Sequence, residues 1–171
     1  MRYIKLLLPL IFFLPALAQE ASIPDYSTTP RDQVPNEYKW KVSDMYANDQ
    51  LWNNDKNEVN GLLKEIKGNA KAWTSSAAKM LAMFKTADKL RLKMYRLYSY
   101  ARRQYDMEMS NPKFNQMKGE IQALFVDASM QLSFINDDIL KMDEKKLDGY
   151  FKTEKGLAPY KFSVEQLLRS K

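Results

Sequence analysis

The chain has 171 residues with neither Cys nor His, and 27 basic side chains against 21 acidic ones. Without His there is no Ser-His-Asp triad, no Cys-His pair and no imidazole metal ligand. Without Cys there are no disulfides, thiolate metal sites or redox motifs, so any chemistry falls to carboxylates, Lys, Tyr, Ser or backbone groups. The length suits one domain, and five Gly beside 45% hydrophobic residues argue against disorder and against a β-rich fold.

Residues 1–18 read as a secretory signal peptide. Arg2 and Lys5 precede an apolar stretch from Leu6 to Leu17, and Ala16-Leu17-Ala18 supplies the small-x-small cleavage pattern. The apolar run from Leu6 to Ala18 is about 13 residues and is interrupted by Pro9 and Pro15, too short for a stable membrane span. Cleavage near Ala18 implies an exported protein, periplasmic or extracellular. It removes two of the 27 basic residues, so 25 face 21 acidic ones, a net charge of about +4. An exported domain without Cys is held by packing alone.

From Gln19 to Val42, Pro24, Pro30 and Pro35 recur among polar residues and favour an extended arm. The arm is expected to be flexible over residues 19–33, with a helical domain over 34–171. Val34, Tyr38, Trp40 and Val42 alternate, as suits an extended segment with one face down.

Asn48-Asp49 can cap a first helix with Leu51, Trp52, Val59, Leu62, Leu63 and Ile66 on its inner side and Gly68 as its stop. A second helix opens near Ser75-Ser76 and carries Ala77, Met80, Leu81 and Phe84; Thr86-Ala87-Asp88 is then a break or only a kink. Leu90, Met94, Leu97, Tyr98, Ala101 and Tyr105 form the clearest buried stripe, with Lys89, Lys93, Arg96 and Arg103 on the opposite face. After Ser110-Asn111-Pro112 comes a helix whose core face runs over about six turns. Its core face is Phe114, Met117, Ile121, Leu124, Phe125, Ala128, Leu132 and Ile135. Asp143 caps a shorter helix through Leu147 and Tyr150, Gly156 ends that region, and Tyr160, Phe162, Val164, Leu167 and Leu168 mark a last helix. The expected fold is all-α: an antiparallel bundle of about five helices behind an extended N-terminal arm.

Candidate chemistry is sparse. The cationic face of the third stripe would suit phosphate backbones, but it is more simply a solvated face, and export argues against nucleic acid. Tyr95, Tyr98, Tyr100, Tyr105 and Trp73 suggest an aromatic platform, and Met80, Met83, Met94 and Met117 a Met-lined groove. The aromatic set reads better as large core and rim side chains whose hydroxyls reach solvent, and the Met set as core. Asp137-Asp138 and Asp143-Glu144 are the tight carboxylate groups. Neighbours near helix ends read as caps and helix-dipole partners rather than as a catalytic pair.

One pattern goes further. Arg31-x-x-Val34-Pro35-x-Glu37-Tyr38-x-Trp40-x-Val42-Ser43-Asp44-Met45-Tyr46, followed by Trp52, resembles the start of oligoendopeptidase F proteins. These are zinc metallopeptidases of the thimet oligopeptidase type. The resemblance continues through Leu97-Tyr98-Ser99-Tyr100-Ala101, Asp106 and Asn111, then Leu157-x-x-Tyr160 and Leu167-Leu168-Arg169. It implies an N-terminal helical lobe that walls a substrate channel for short unfolded peptides. The catalytic lobe would follow C-terminal to it, with H-E-x-x-H and a later Glu holding zinc. No residue here matches that motif, so no catalytic, cofactor-binding or metal-binding residue is assigned. Tyr95, Arg96 and Arg103 are the side chains singled out as able to touch peptide. The rival reading is a freestanding secreted helical module that binds a peptide or protein.

Overall fold

The computed structural model describes residues 23–170; the expected signal peptide lies outside them. The chain divides into two units, Met1–Tyr38 and Lys39–Lys171. In the described part of the first, proline shapes the backbone into successive turns. The amides of Gln33 and Tyr38 donate to the carbonyls of Pro30 and Pro35, each at 3.0 Å. Such i to i+3 bonds use the proline carbonyl and need no proline N–H. The second closes a 3-10 turn at Asn36–Tyr38, and the Tyr26 and Tyr38 rings meet at 5.0 Å.

The second unit holds five α-helices: α1 (Asp49–Asn69), α2 (Ala77–Met107), α3 (Pro112–Lys141), α4 (Glu144–Thr153) and α5 (Lys161–Arg169). No strand occurs among the described residues. Polar side chains set the helix starts. Asn48, Ser76, Asn111 and Asp143 accept from the amides of Leu51, Lys79, Lys113 and Lys146. Each such cap is worth about 1 kcal/mol. Pro112 opens α3, where its missing amide costs nothing.

Helix α2 is the spine. Its 31 residues reach about 46 Å, with α1 and α3 packed antiparallel along it. The direction follows from named pairs. Trp52 at the start of α1 donates its indole N–H to the Leu97 carbonyl late in α2 at 3.0 Å. Glu65, near the end of α1, accepts from the Thr86 hydroxyl early in α2 at 3.0 Å. On the other side, the Tyr95 and Tyr98 rings meet Phe125 of α3 at 5.6 and 5.8 Å.

The core is apolar throughout. Trp52, Trp73, Leu90, Leu97, Ile121 and Leu157 are closed from solvent, and no described polar side chain is buried without a partner. Full burial of one such side chain is worth roughly 1.5–3 kcal/mol. Met80, Met83, Met94 and Met117 all lie in this core, as expected. At Gly156 an added Cβ would stand 2.5 Å from Leu81 Cδ2, so the Leu81 side chain would have to shift to admit it.

Several expectations are corrected. Thr86-Ala87-Asp88 neither breaks nor ends a helix, because Ala87 is buried while Thr86 and Asp88 bond outward to Glu65 and Tyr160. Gly68 lies inside α1, which runs on to Asn69. Leu51 and Phe162 stand 46% and 67% exposed in the first turns of α1 and α5: Leu51 lies at the edge of the α1 stripe, and Phe162, two residues before buried Val164, falls on the opposite face of α5. Helix α3 has 30 residues, about eight turns, and its core face extends past Ile135 to Ile139. The alternation in the arm does not bury one face: Tyr38 and Trp40 are both exposed, whereas Val42 packs on the core.

Candidate functional site

The densest polar cluster joins α1, α2 and the 3-10 turn Val42–Asp44 that precedes α1. Asp55 follows Trp52 by three residues on α1, on the same side of the helix. Lys93, on the α1 side of α2, donates to Asp55 Oδ1 at 2.6 Å and reaches Glu58 at 3.1 Å. The Tyr46 hydroxyl donates to the other Asp55 oxygen at 2.7 Å. Arg96 lies 4.7 Å over the Tyr46 ring and donates to the Met45 carbonyl at 2.5 Å.

Electrostatics follow this geometry. Burial alone would raise the Asp55 carboxyl, but the Lys93 ammonium and Tyr46 hydroxyl outweigh it and hold it below the ordinary range. Burial would lower the Lys93 ammonium, and Asp55 and Glu58 reverse that, so its proton is held more tightly. The Tyr46 hydroxyl is pushed well up, first by burial and then by Asp55. Every group is thus fixed in its bonded protonation state. The cluster ties residues 42–46 across the α1–α2 seam.

A second set spans α1 and α3. Lys113 pairs with Asp49 and Lys56 with Glu120. The Tyr100 hydroxyl donates to Asp49 at 3.1 Å and its ring meets Tyr46 at 5.3 Å. Lys56 holds the Glu120 carboxyl down, against a smaller upward push from burial. These pairs clamp the two helices that flank α2.

The expected basic face is therefore not a free row of cations. Lys93 and Arg96 are engaged as above, and Arg103 stacks over Trp40 at 4.7 Å while donating to the Ser99 carbonyl. The aromatic set divides as well. Trp73 and Tyr100 are core, Tyr98 and Tyr105 are half-buried, and Tyr95 is 62% exposed. Asp137 and Asp138 do not act as caps. They sit in the last turn and a half of α3, where the dipole disfavours anions, and Asp138 accepts the Trp73 indole N–H at 2.9 Å. Asp143 does cap α4, with Glu144 in the first turn.

The polar contacts that periodicity did not anticipate are those of Tyr46, Asp55, Asp88 and Tyr160. The signal available for Asp55 was its three-residue step from Trp52. The Tyr160 hydroxyl donates to Asp88 at 2.6 Å, and burial, then Asp88, pushes it up to about 12. Among the described residues no group of three Asp or Glu side chains converges as metal ligands, and no helix is long and apolar enough to cross a membrane.

The described body is thus an all-α helical domain built on one long spine and tied at its N-terminal turn. No protein-family profile matches the chain. Oligopeptidase PepF of Bacillus subtilis is 22% identical over 141 residues, covering 82% of this chain and 21% of that protein. The chromosomal oligoendopeptidase F of Lactococcus lactis subsp. cremoris is 24% identical over 143 residues, covering 82% of this chain and 24% of that protein. The crystal structure of oligoendopeptidase-F from Enterococcus faecium superposes with a TM-score of 0.63 at 20% identity, over 71% of this chain and 24% of that one. A Chlamydophila abortus structure assigned as a peptidase gives a TM-score of 0.70 at 18% identity. The resemblance to the N-terminal domain of oligoendopeptidase F proteins therefore holds. The chain spans 21–24% of the length of the curated relatives it matches.

Proposed function

We propose that this chain is a non-catalytic, channel-walling part of an exported oligoendopeptidase F-like zinc peptidase that cleaves short peptides. Its likeness to about a fifth of such peptidases, across 82% of its own length, carries the reading. In this proposal residues 1–18 are removed near Ala18, residues 19–33 form a flexible arm, and residues 34–171 form the helical domain. The site of action is periplasmic or extracellular. The partner is a catalytic lobe C-terminal to this sequence, which supplies zinc through H-E-x-x-H and polarises the attacking water. A chain without His cannot supply that motif.

Two measurements test this. The genomic sequence beyond the Lys171 codon is expected to encode H-E-x-x-H within several hundred codons. Its absence in every frame removes the main support. The purified chain is expected to leave a quenched oligopeptide uncut with or without added zinc, and zinc-dependent cleavage would overturn the non-catalytic assignment.

A further inference from the structure

Helix α5 is short, and it crosses the groove between α2 and α3 without filling it. Val164 points down into the core, Phe162 turns to solvent, and small Ser163 stands between them. A half-open cavity of about 310 Å³ remains, at the low end for small-molecule sites. Its floor is apolar: Phe84, Ala87, Ile135, Ile139 and Val164, all buried.

The rim carries opposite charges one helical turn apart on α2. Asp88 and Arg91 meet at 3.3 Å, and their side chains are 51% and 57% exposed. A long, half-exposed pair of this kind stabilises the fold very little. Exchanging it for contacts to a ligand therefore costs little. Tyr160 holds Asp88 Oδ2 at 2.6 Å, so the carboxylate keeps its place when Arg91 turns away. Arg91 has five N–H donors, and the Asp88 contact uses one of them. Asn136 and Ser163 add an amide and a hydroxyl to the lining.

We propose that this cavity binds a free apolar α-amino acid, its carboxylate on Arg91, its ammonium on Asp88 and its side chain on the Ile135–Ile139–Val164 floor. An anion beside a cation, over an apolar floor of single-residue size, complements a zwitterion with an aliphatic side chain. The inference does not depend on the peptidase reading.

The test is a methyl-resolved NMR titration of the whole chain with L-leucine at millimolar concentration. Saturable shifts are expected at Ile135, Ile139 and Val164. Leucinamide, 4-methylpentanoate and glycine each lack one of the three recognised groups and should bind roughly tenfold more weakly or worse. Glycyl-leucine separates the two sources of an apolar carboxylate. Weaker binding than leucine supports the free amino acid, and equal binding overturns the role given to Asp88. Arg91→Gln and Asp88→Asn, both at half-exposed positions, should weaken leucine binding by a similar factor with the melting temperature unchanged. Absent shifts, shifts centred elsewhere, or binding indifferent to both substitutions would overturn the site.

Discussion

Asp138 offers a test in which the sign of an effect separates two explanations. Read as a helix-end carboxylate, it would act on the dipole. In the structure it lies in the last turn of α3, where a negative charge costs about 0.3–1 kcal/mol. What it does there is accept the indole N–H of Trp73, a side chain only 1% exposed and set against Phe84 and Phe134. In Asp138→Ala the buried N–H loses its acceptor, a cost of about 1–3 kcal/mol, relieved in part by removal of the charge. The expected net loss is about 1–2 kcal/mol. With an m-value of about 2 kcal/mol/M, the urea midpoint falls by about 0.5–1 M. Asp138→Asn keeps an oxygen for the indole and removes the charge, so it should be neutral or stabilise by a few tenths of a kcal/mol. The assay is urea unfolding at neutral pH, followed by far-UV circular dichroism and tryptophan fluorescence. A double-mutant cycle completes it: in a Trp73→Phe background Asp138→Ala should lose its penalty. An undiminished penalty in that background, or an Asn variant as weak as the Ala variant, would refute the reasoning.

Asp55 governs the acid edge of stability. Its folded-state carboxyl lies below the ordinary range. Its contribution is therefore fully present above the unfolded value near 3.9 and disappears as pH falls through the folded one. Asp55→Asn should flatten the loss of stability below about pH 4 and cost about 1–3 kcal/mol at neutral pH, both measured by urea unfolding across pH. At the alkaline edge the raised Tyr46 and Lys93 work in the opposite sense. Stability they contribute persists up to their unfolded values near 10 and is lost as pH rises through the folded ones, which Tyr46→Phe should blunt. Gly61 and Gly119 stand on exposed helix faces with nothing within 4 Å of an added Cβ. Gly61→Ala and Gly119→Ala should each stabilise by about 0.5–1 kcal/mol and add in the double variant, as read by thermal unfolding.

Helix positions were legible because the information is local. Caps at Asn48, Ser76, Asn111 and Asp143, and stripes such as Leu90–Met94–Leu97–Ala101, are written at fixed short spacings. The misread positions depend on distant partners. Thr86-Ala87-Asp88 looks weak by propensity, yet Glu65 and Tyr160, 21 and 72 residues away, hold its polar groups. The basic face fails for the same reason: Lys93 pairs with Asp55 at a separation of 38 and Arg96 bonds Met45 at 51. Periodicity places a cation on a face and is silent about what crosses the seam to meet it. Leu51 and Phe162 fail on phase: Leu51 sits at the edge of its stripe, and Phe162 is two residues, about 200° of helix, from buried Val164.

The positions that carry the family resemblance are, in the helical body, chiefly packing positions. Val42 packs on the core, Tyr46 is buried and bonded to Asp55, and Trp52 is closed in with its indole on Leu97. In Leu97-Tyr98-Ser99-Tyr100-Ala101 the first, fourth and fifth residues are core, and Leu157 is fully buried. The motif thus describes how a turn docks across α1 and α2, and how α2 forms a spine. Substitution at Tyr46 or Tyr100 would test folding, because each hydroxyl is bonded within the scaffold. Side chains free to serve a ligand or another surface lie elsewhere, at Arg91 and Tyr95, and Tyr95 in particular keeps most of its ring in solvent. A resemblance carried by such residues supports a shared scaffold more strongly than a shared reaction, and function has to be probed at the positions that the scaffold leaves exposed.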